Sequence, residues 1–105
     1  MIKVLDKFGQ EIKKGCFIAY GHTIIRRAGI RIGKVLNVVT EERKYGDKVI
    51  LTYCIAVRGV NDDCADWKSM QLTSKNGYLR FPHNIMVLAE TKVPKEYKEL
   101  LKDVK

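Results

Sequence analysis

The chain has 105 residues, of which 46% are hydrophobic and 30% are charged, and its formal net charge at pH 7 is +8. This length and composition are typical of one globular domain with a single modest core, and they exclude a disordered chain. No apolar run approaches the roughly 20 residues of a membrane-spanning helix, and the start of the chain lacks the apolar segment of a signal peptide. We therefore expect a cytoplasmic protein with no membrane association.

The surplus positive charge is concentrated in the first third of the sequence. Residues 1–34 contain eight basic and two acidic residues, whereas residues 35–91 contain seven of each. The tail from residue 92 contains five lysines and three acids. A local excess of this kind predicts a basic face, and its partner would be an anion such as nucleic acid, a nucleotide or an acidic protein surface.

The three cysteines are Cys16, Cys54 and Cys64. Their odd number and wide spacing predict free thiols in a reducing compartment rather than disulfides. Because only His22 and His83 could complete a ligand set, the spacing argues against a structural zinc site. The sequence predicts no metal and no cofactor.

Runs of β-branched and aromatic residues, separated by Gly, Asn and Asp, predict a mainly β protein. The first strand is predicted at residues 2–5, followed by a turn at residues 6–9. Residues 16–25 and 30–39 predict a long hairpin, whose four-residue connection includes Gly29 as a residue able to take a positive φ angle. Later strands are predicted over residues 49–58, 67–73, 78–81 and 85–88.

The last part of the sequence predicts two turns and one helix. Residues 74–77 contain Asn-Gly, which favours a hairpin turn between the flanking strands. Residues 81–84 predict a short helical turn before the last strand. Pro94 suits the first position of a helix, and apolar residues then recur at helical spacing: Tyr97, Leu100, Leu101 and Val104. We expect a β domain over residues 1–91 and a helix within residues 92–105 that docks on it.

The order of these features resembles the first half of a Src-homology-3-like barrel, as in Tudor and KOW modules. The resemblance is carried by residues 11–15 (Glu-Ile-Lys-Lys-Gly), 17–20 (Phe-Ile-Ala-Tyr) and 33–35 (Gly-Lys-Val), and by residues 80–88, which resemble that fold's helical turn and fifth strand. It implies a small barrel of five to six antiparallel strands, and the residue patterns above add to it a first hairpin longer than a minimal barrel needs and a short C-terminal α-helix. Many small uncharacterised phage and mobile-element proteins begin similarly, which would place a phage-encoded chain in the host cytoplasm.

The tip of the predicted first hairpin is the sharpest candidate for an anion-binding site. Arg26, Arg27 and Arg31 carry guanidinium groups, which bind phosphate in a bidentate manner and stack on bases. Three lysines would widen the positive field: Lys13, Lys14 and Lys34. A tip that arginine merely keeps solvated is the competing interpretation.

Apolar residues are interleaved with these arginines. Ile24, Ile25 and Ile30 are not needed by a tip that is only solvated, so they predict either contact with a partner or packing against a second copy. Aromatic residues would assist nucleic-acid binding by stacking, and Tyr20 and Tyr45 are the candidates. Core packing is the commoner role of any one aromatic in a small domain.

No constellation of residues predicts catalysis. Asp62, Asp63 and Asp66 lack the ligand spacing of a calcium loop and are typical of a solvated turn. The two histidines have no Ser, Cys or Asp partner at a motif spacing, and the sequence contains no Gly-rich phosphate loop. We predict a non-enzymatic, phage-type accessory protein that binds nucleic acid through the basic hairpin. The alternatives are a protein-interaction module that inhibits a host factor, and an oligomeric nucleotide-sequestering protein for immune evasion.

Overall fold

The computed structural model describes residues 3–24, 27–61, 70–102 and 104, and the side chains of these except for residues 22–28. This part of the chain is mainly β, with six antiparallel strands and one short helix. The strands are β1 (Phe17–Ile24), β2 (Arg27–Tyr45), β3 (Lys48–Asn61), β4 (Gln71–Leu72), β5 (Gly77–Leu79) and β6 (Ile85–Leu88). The helix α1 is Lys95–Leu101, and two 3-10 turns cover Pro82–Asn84 and Glu90–Lys92.

The strand order in the sheet is β4-β3-β2-β1-β6, and β5 also pairs with β3. Since β5 pairs with β3 and β6 pairs with β1, residues 77–88 run from one side of the sheet to the other through the turn at Pro82–Asn84. This turn and the strand that follows it confirm the prediction for residues 81–88. The backbone pairing of the described strands does not close the sheet.

The β1–β2 hairpin is present, with a shorter connection than the sequence predicts. Ile24 pairs with Arg27, so only residues 25 and 26 link the two strands, and both lie outside the described part of the chain. Gly29 pairs with His22 inside the ladder, because the pairing continues beyond it. The prediction that Gly29 is a turn residue is therefore wrong.

Strands β2 and β3 are both longer than predicted. Residues 40–45, which lie between the strands predicted over residues 30–39 and 49–58, continue β2, and the turn consists of Gly46 and Asp47 alone. Gly46 has a φ of 61°, which glycine adopts without steric cost. Residues 41–50 are all exposed, so both faces of this hairpin meet solvent and polar side chains are tolerated in its strands. We call residues 41–50 the β2–β3 arm.

Strands β4 and β5 do not form the hairpin that the Asn-Gly dipeptide predicts. Both pair with β3, one after the other. Thr73 explains this, because its N–H donates to the carbonyl of Gly59 at 2.9 Å and keeps the connection along the edge of β3 instead of letting it reverse. Of the predicted strand over residues 67–73, the described residues 70–73 contain β4, and Trp67 lies outside the described residues.

Residues 2–5, predicted as a strand, contribute only an isolated bridge among those described. The turn that follows is present and is organised by Asp6, which is 4% exposed. Its Oδ1 accepts hydrogen bonds from the N–H groups of Phe8 (2.9 Å) and Gln10 (2.7 Å). Its Oδ2 accepts one from the N–H of Val87 in β6 (2.7 Å). One carboxylate thus closes the turn and attaches it to the sheet.

Apolar side chains cover both faces of the sheet. One cluster contains the N-terminal segment and the inner sheet residues: Val4, Ile12, Ile18, Tyr20, Val35, Ile55, Val57 and Ile85. On the other face, Tyr97 and Leu101 of α1 pack with Val60 and Val93. The helix thus docks on the sheet through its apolar face, although Pro94 is its N-cap instead of its first residue. No helix in the described ranges is long and apolar enough to cross a membrane.

Candidate functional site

The predicted basic residues do not form one cluster. The register places Lys34 opposite Phe17 at one end of β1, and Arg27 opposite Ile24 at the other. Eight strand residues separate these ends by about 23 Å. Two further lysines precede β1 and therefore lie at the end where Lys34 is found: Lys13 and Lys14. Arg26 and Ile25 lie outside the described residues, as do the side chains of Arg27 and Ile24.

Two of the predicted lysines have partners within the protein. Lys34 Nζ donates a hydrogen bond to the carbonyl of Val104 at 3.1 Å, which attaches the C-terminal segment to the sheet. Lys13 forms an ion pair with Glu11 at 3.2 Å. Lys14 is exposed. Lys34 therefore has a structural role that the sequence pattern did not indicate.

Arg31 lies opposite Tyr20 in the β1–β2 register and is half-buried. Tyr20 is only 8% exposed, and its ring lies over Gly33 and Gly59, which pair with each other. Burial raises the pKa of the Tyr20 phenol, and the charge of Arg31 lowers it by a smaller amount. Because Tyr20 belongs to the core, its placement does not suit the base-stacking role predicted for it.

Three grooves surround the turn at Pro82–Asn84. The first has a volume of about 610 Å³ and lies between the β1–β2 hairpin, the turn around Phe8 and the start of β6. The second has a volume of about 310 Å³ and is bounded by Tyr78 and Phe81. The third has a volume of about 430 Å³ and lies between Phe81 and residues 50–53 of β3. Shared lining residues make the grooves neighbours: Tyr20 and Asn84 line the first two, and Phe81 lines the last two.

Three aromatic side chains stand exposed at these grooves: Phe8 (67% exposed), Tyr78 (63%) and Phe81 (68%). We call these three residues the aromatic surface. Tyr78 points away from the core because its neighbour in β5, Leu79, packs inward. Phe81 ends the extended segment as the N-cap of the 3-10 turn, and Phe8 lies in the turn that Asp6 holds.

Sequence reasoning missed the aromatic surface and selected Tyr20 and Tyr45 instead. Tyr45 is 57% exposed at the end of β2, as expected, but it lines none of the three grooves. A sequence signal was available, since Lys-Phe at residues 7–8 and Arg-Phe at residues 80–81 each place a basic residue before an aromatic one in a turn region. Such a residue is more often exposed than an aromatic inside a strand.

The charges around the grooves are basic. Lys7 lines the first groove, Arg80 the second and third, and Arg43 the third. Among the residues that the structure describes, no acidic side chain lines any of the three. Glu41 lies two residues before Arg43 on the same face of β2, and its Oε2 is 3.9 Å from Nη2 of Arg43. This exposed ion pair contributes little to stability. These grooves therefore combine aromatic faces with positive charge.

Metal-binding and thiol chemistry receive little support from the described side chains. Among the described side chains, which leave out those of residues 22–28, no three His, Cys, Asp or Glu residues lie close enough to hold a metal ion. Cys16 and Cys54 are free and half-buried. Burial is the main cause of a raised pKa at Cys16, which keeps that thiol protonated and weakly nucleophilic. Outside the described residues lie Cys64 and the three aspartates predicted to form a solvated turn: Asp62, Asp63 and Asp66.

The exposed apolar residue Ile30 belongs to the same region. It is 74% exposed and lines the first groove together with Met86, which is 40% exposed. Ile30 pairs with Gly21, and small residues line the groove beside these two apolar side chains: Ala19, Gly21 and Gly29.

Comparisons with known proteins found no matching family model, curated protein or solved structure.

Proposed function

We propose that this protein is a non-enzymatic module that binds nucleic acid. The observation that carries the proposal is the coincidence of exposed aromatic rings and basic side chains around the three grooves, with no acidic side chain lining them in the described part of the chain. Nucleic acid offers the matching chemistry, because it presents phosphate charge and flat apolar bases within each nucleotide.

The sheet is proposed to be a partly open Src-homology-3-like barrel. Support comes from the path of residues 77–88, which leave β3, pass through the turn at Pro82–Asn84 and reach β1. In such a barrel, β5 and β6 would together be one last strand, which the 3-10 turn interrupts, and this strand would bring the two sides of the sheet together. The grooves would then lie around the turn.

The β1–β2 hairpin is proposed to extend the binding surface. Gly21 and Ile30 pair with each other and line the first groove, and Arg27 begins β2 only three residues before Ile30. Arg26 precedes it directly in the sequence. The backbone of Arg27 therefore lies about 10 Å along β2 from Ile30 and the first groove, whereas Lys13 and Lys14 lie at the opposite end of β1.

A protein partner, including a host factor, is the second candidate. The observation in its favour is the pair of exposed apolar side chains in the first groove, Ile30 and Met86. An interface built on them would respond weakly to salt, whereas binding to several phosphates weakens steeply as salt rises.

The test compares two variants that remove equal charge from opposite ends of β1. Fluorescence anisotropy with a labelled oligonucleotide, measured over a series of salt concentrations, would give the affinity and its salt dependence. We expect Arg26→Gln/Arg27→Gln to weaken binding much more than Lys13→Gln/Lys14→Gln. Equal losses would mean that only net charge matters and that the hairpin is not part of the site. Absence of binding at low salt by the unmodified protein would refute the proposal as a whole.

A further inference from the structure

We infer that the nucleic acid is single-stranded and that its bases stack on the aromatic surface of Phe8, Tyr78 and Phe81. This inference rests on the proposed function. It adds that the nucleic acid is single-stranded and names the residues that contact its bases. It assigns the main apolar contacts to side chains that the charge pattern of the sequence does not indicate.

The exposure of these rings is the first step. Each is at least 63% exposed, although burial of an aromatic side chain is favourable. A single exposed apolar residue on a protein surface is ordinary. Three exposed rings that line neighbouring grooves are not scattered in this way, and exposed apolar side chains in one region mark binding sites.

The chemistry of the rings selects the ligand. Phe8 and Phe81 have no polar group, so they offer only a flat apolar face. In a duplex, base faces are stacked against each other and are not available to a side chain. An unpaired base can leave its neighbour and stack on an aromatic ring, as it does on proteins that bind single strands. The aromatic surface therefore suits single-stranded nucleic acid better than a duplex.

The positions of the charges agree with a strand of alternating bases and phosphates. Lys7 and Phe8 are adjacent in the chain, and so are Arg80 and Phe81. Both basic residues are exposed, and both line the same grooves as their aromatic neighbours. Each pair thus places a cation and a ring within reach of one nucleotide.

Charge also argues against a second copy of the chain as the occupant. Each copy carries a formal net charge of +8, and the described lining of the three grooves is basic without acidic residues. Bringing two such surfaces together would place like charges opposite each other. A polyanion neutralises the same residues instead.

The experiment uses three labelled probes of equal length: a single-stranded oligothymidylate, the same backbone without bases, and a duplex. Anisotropy gives the affinity of the protein for each. We expect the oligothymidylate to bind at least tenfold more tightly than the base-free strand and more tightly than the duplex. Phe81→Ala and Tyr78→Ala should each remove roughly tenfold of the affinity for oligothymidylate, with little change for the base-free strand and an unchanged salt slope.

Two further variants control for size and folding. Tyr45→Ala removes the same side chain as Tyr78→Ala from a position that lines none of the three grooves, and it should retain the parent affinity. Phe81→Leu keeps an apolar side chain without a flat ring, and it should also lose affinity. Circular dichroism melting of each variant should match the parent, because the substituted side chains are exposed.

The outcomes separate this inference from the function on which it rests. If the parent binds none of the three probes, the proposed function fails. If it binds all three equally, or if Phe81→Ala and Tyr78→Ala bind like the parent, nucleic-acid binding stands and the stacking role is overturned. If sedimentation shows a parent oligomer that Phe81→Ala dissociates, the aromatic surface is an interface between copies and the inference is overturned.

Discussion

Gly59 lies against the hydroxyl of Tyr20 so closely that a Cβ at Gly59 would overlap with the phenol oxygen. Gly33, the partner of Gly59 across β2 and β3, is also close to this ring, since a Cβ there would be 3.0 Å from Cε1 of Tyr20. Neither glycine has a positive φ angle. Gly59 is therefore required by the close approach of one buried ring. Gly33 is required by that ring together with the backbone of β3, since its Cβ would also lie 2.7 Å from the carbonyl oxygen of Arg58.

The first prediction is that Gly59→Ala destabilises the protein. The added methyl group must displace the buried Tyr20 ring, and overpacking of this kind costs about 1–3 kcal/mol of the free energy of unfolding. Urea denaturation would measure the change. Gly21→Ala is the control, because its Cβ would meet only the carbonyl oxygen of Gly29 at 4.0 Å.

The same substitution in a Tyr20→Phe background tests the cause. Removal of the hydroxyl should reduce the cost of Gly59→Ala without abolishing it, since Cζ of the ring would still lie 3.2 Å from the new Cβ. An equal cost in both backgrounds would show that the hydroxyl is not what excludes a side chain at Gly59.

The second prediction concerns Asp6, whose carboxylate accepts three backbone hydrogen bonds. Asp6→Ala leaves these donors without their partner, and we expect a loss of about 3 kcal/mol in the free energy of unfolding. Asp6→Asn should cost less, because one oxygen can still accept from Phe8 and Gln10 while its NH₂ group faces the N–H of Val87. Asp47→Ala, in an exposed turn, is the control, and a cost equal to that of Asp6→Ala would contradict the proposed role of Asp6.

Local sequence patterns predict well those elements that depend only on residues close together in the chain. The turn at Pro82–Asn84, strand β6 and the apolar stripe of α1 all follow from such patterns. The Asn-Gly dipeptide at residues 76 and 77 failed because Thr73 bonds to Gly59, which is distant in sequence. Non-local bonds of this kind are invisible to a local pattern.

The candidate site could be predicted only in part, for a related reason. Tyr20 and Tyr78 both lie in strands, yet Tyr20 is buried and Tyr78 is 63% exposed. Which face of a strand meets solvent depends on the pairing register, and a bulge between Val35 and Asn37 changes the register between β2 and β3. Basic charge in the sequence indicated an anionic partner, but only the structure shows which aromatic rings are exposed and could contact it.

The third prediction is a loss of stability at alkaline pH. Burial raises the pKa of the Cys16 thiol above 9.0 and that of the Tyr20 phenol above 10.0 in the folded protein. The unfolded chain therefore releases these protons first as pH rises, which favours unfolding. The contribution of these two protonated groups to the free energy of unfolding is fully present below about pH 9. It declines as pH rises through and beyond 10.

Denaturation at a series of pH values would measure this decline. Tyr20→Phe has no phenol to ionise, so the slope of its unfolding free energy above pH 10 should be shallower than that of the parent. Tyr45→Phe removes an exposed phenol and serves as the control. Parallel slopes for the parent and Tyr20→Phe would show that Tyr20 does not contribute to the alkaline transition.

The last prediction concerns Arg80, which lines the second and third grooves and directly precedes Phe81. If its guanidinium contacts one phosphate, Arg80→Gln should lower the slope of log affinity against log salt by about one unit. Arg80→Lys keeps the charge and should restore most of the slope. Lys102→Gln removes one charge from the exposed C-cap of α1 and should leave the slope unchanged. A slope that changes equally in Arg80→Gln and Lys102→Gln would assign the effect to net charge, because a direct phosphate contact depends on position whereas a general field does not.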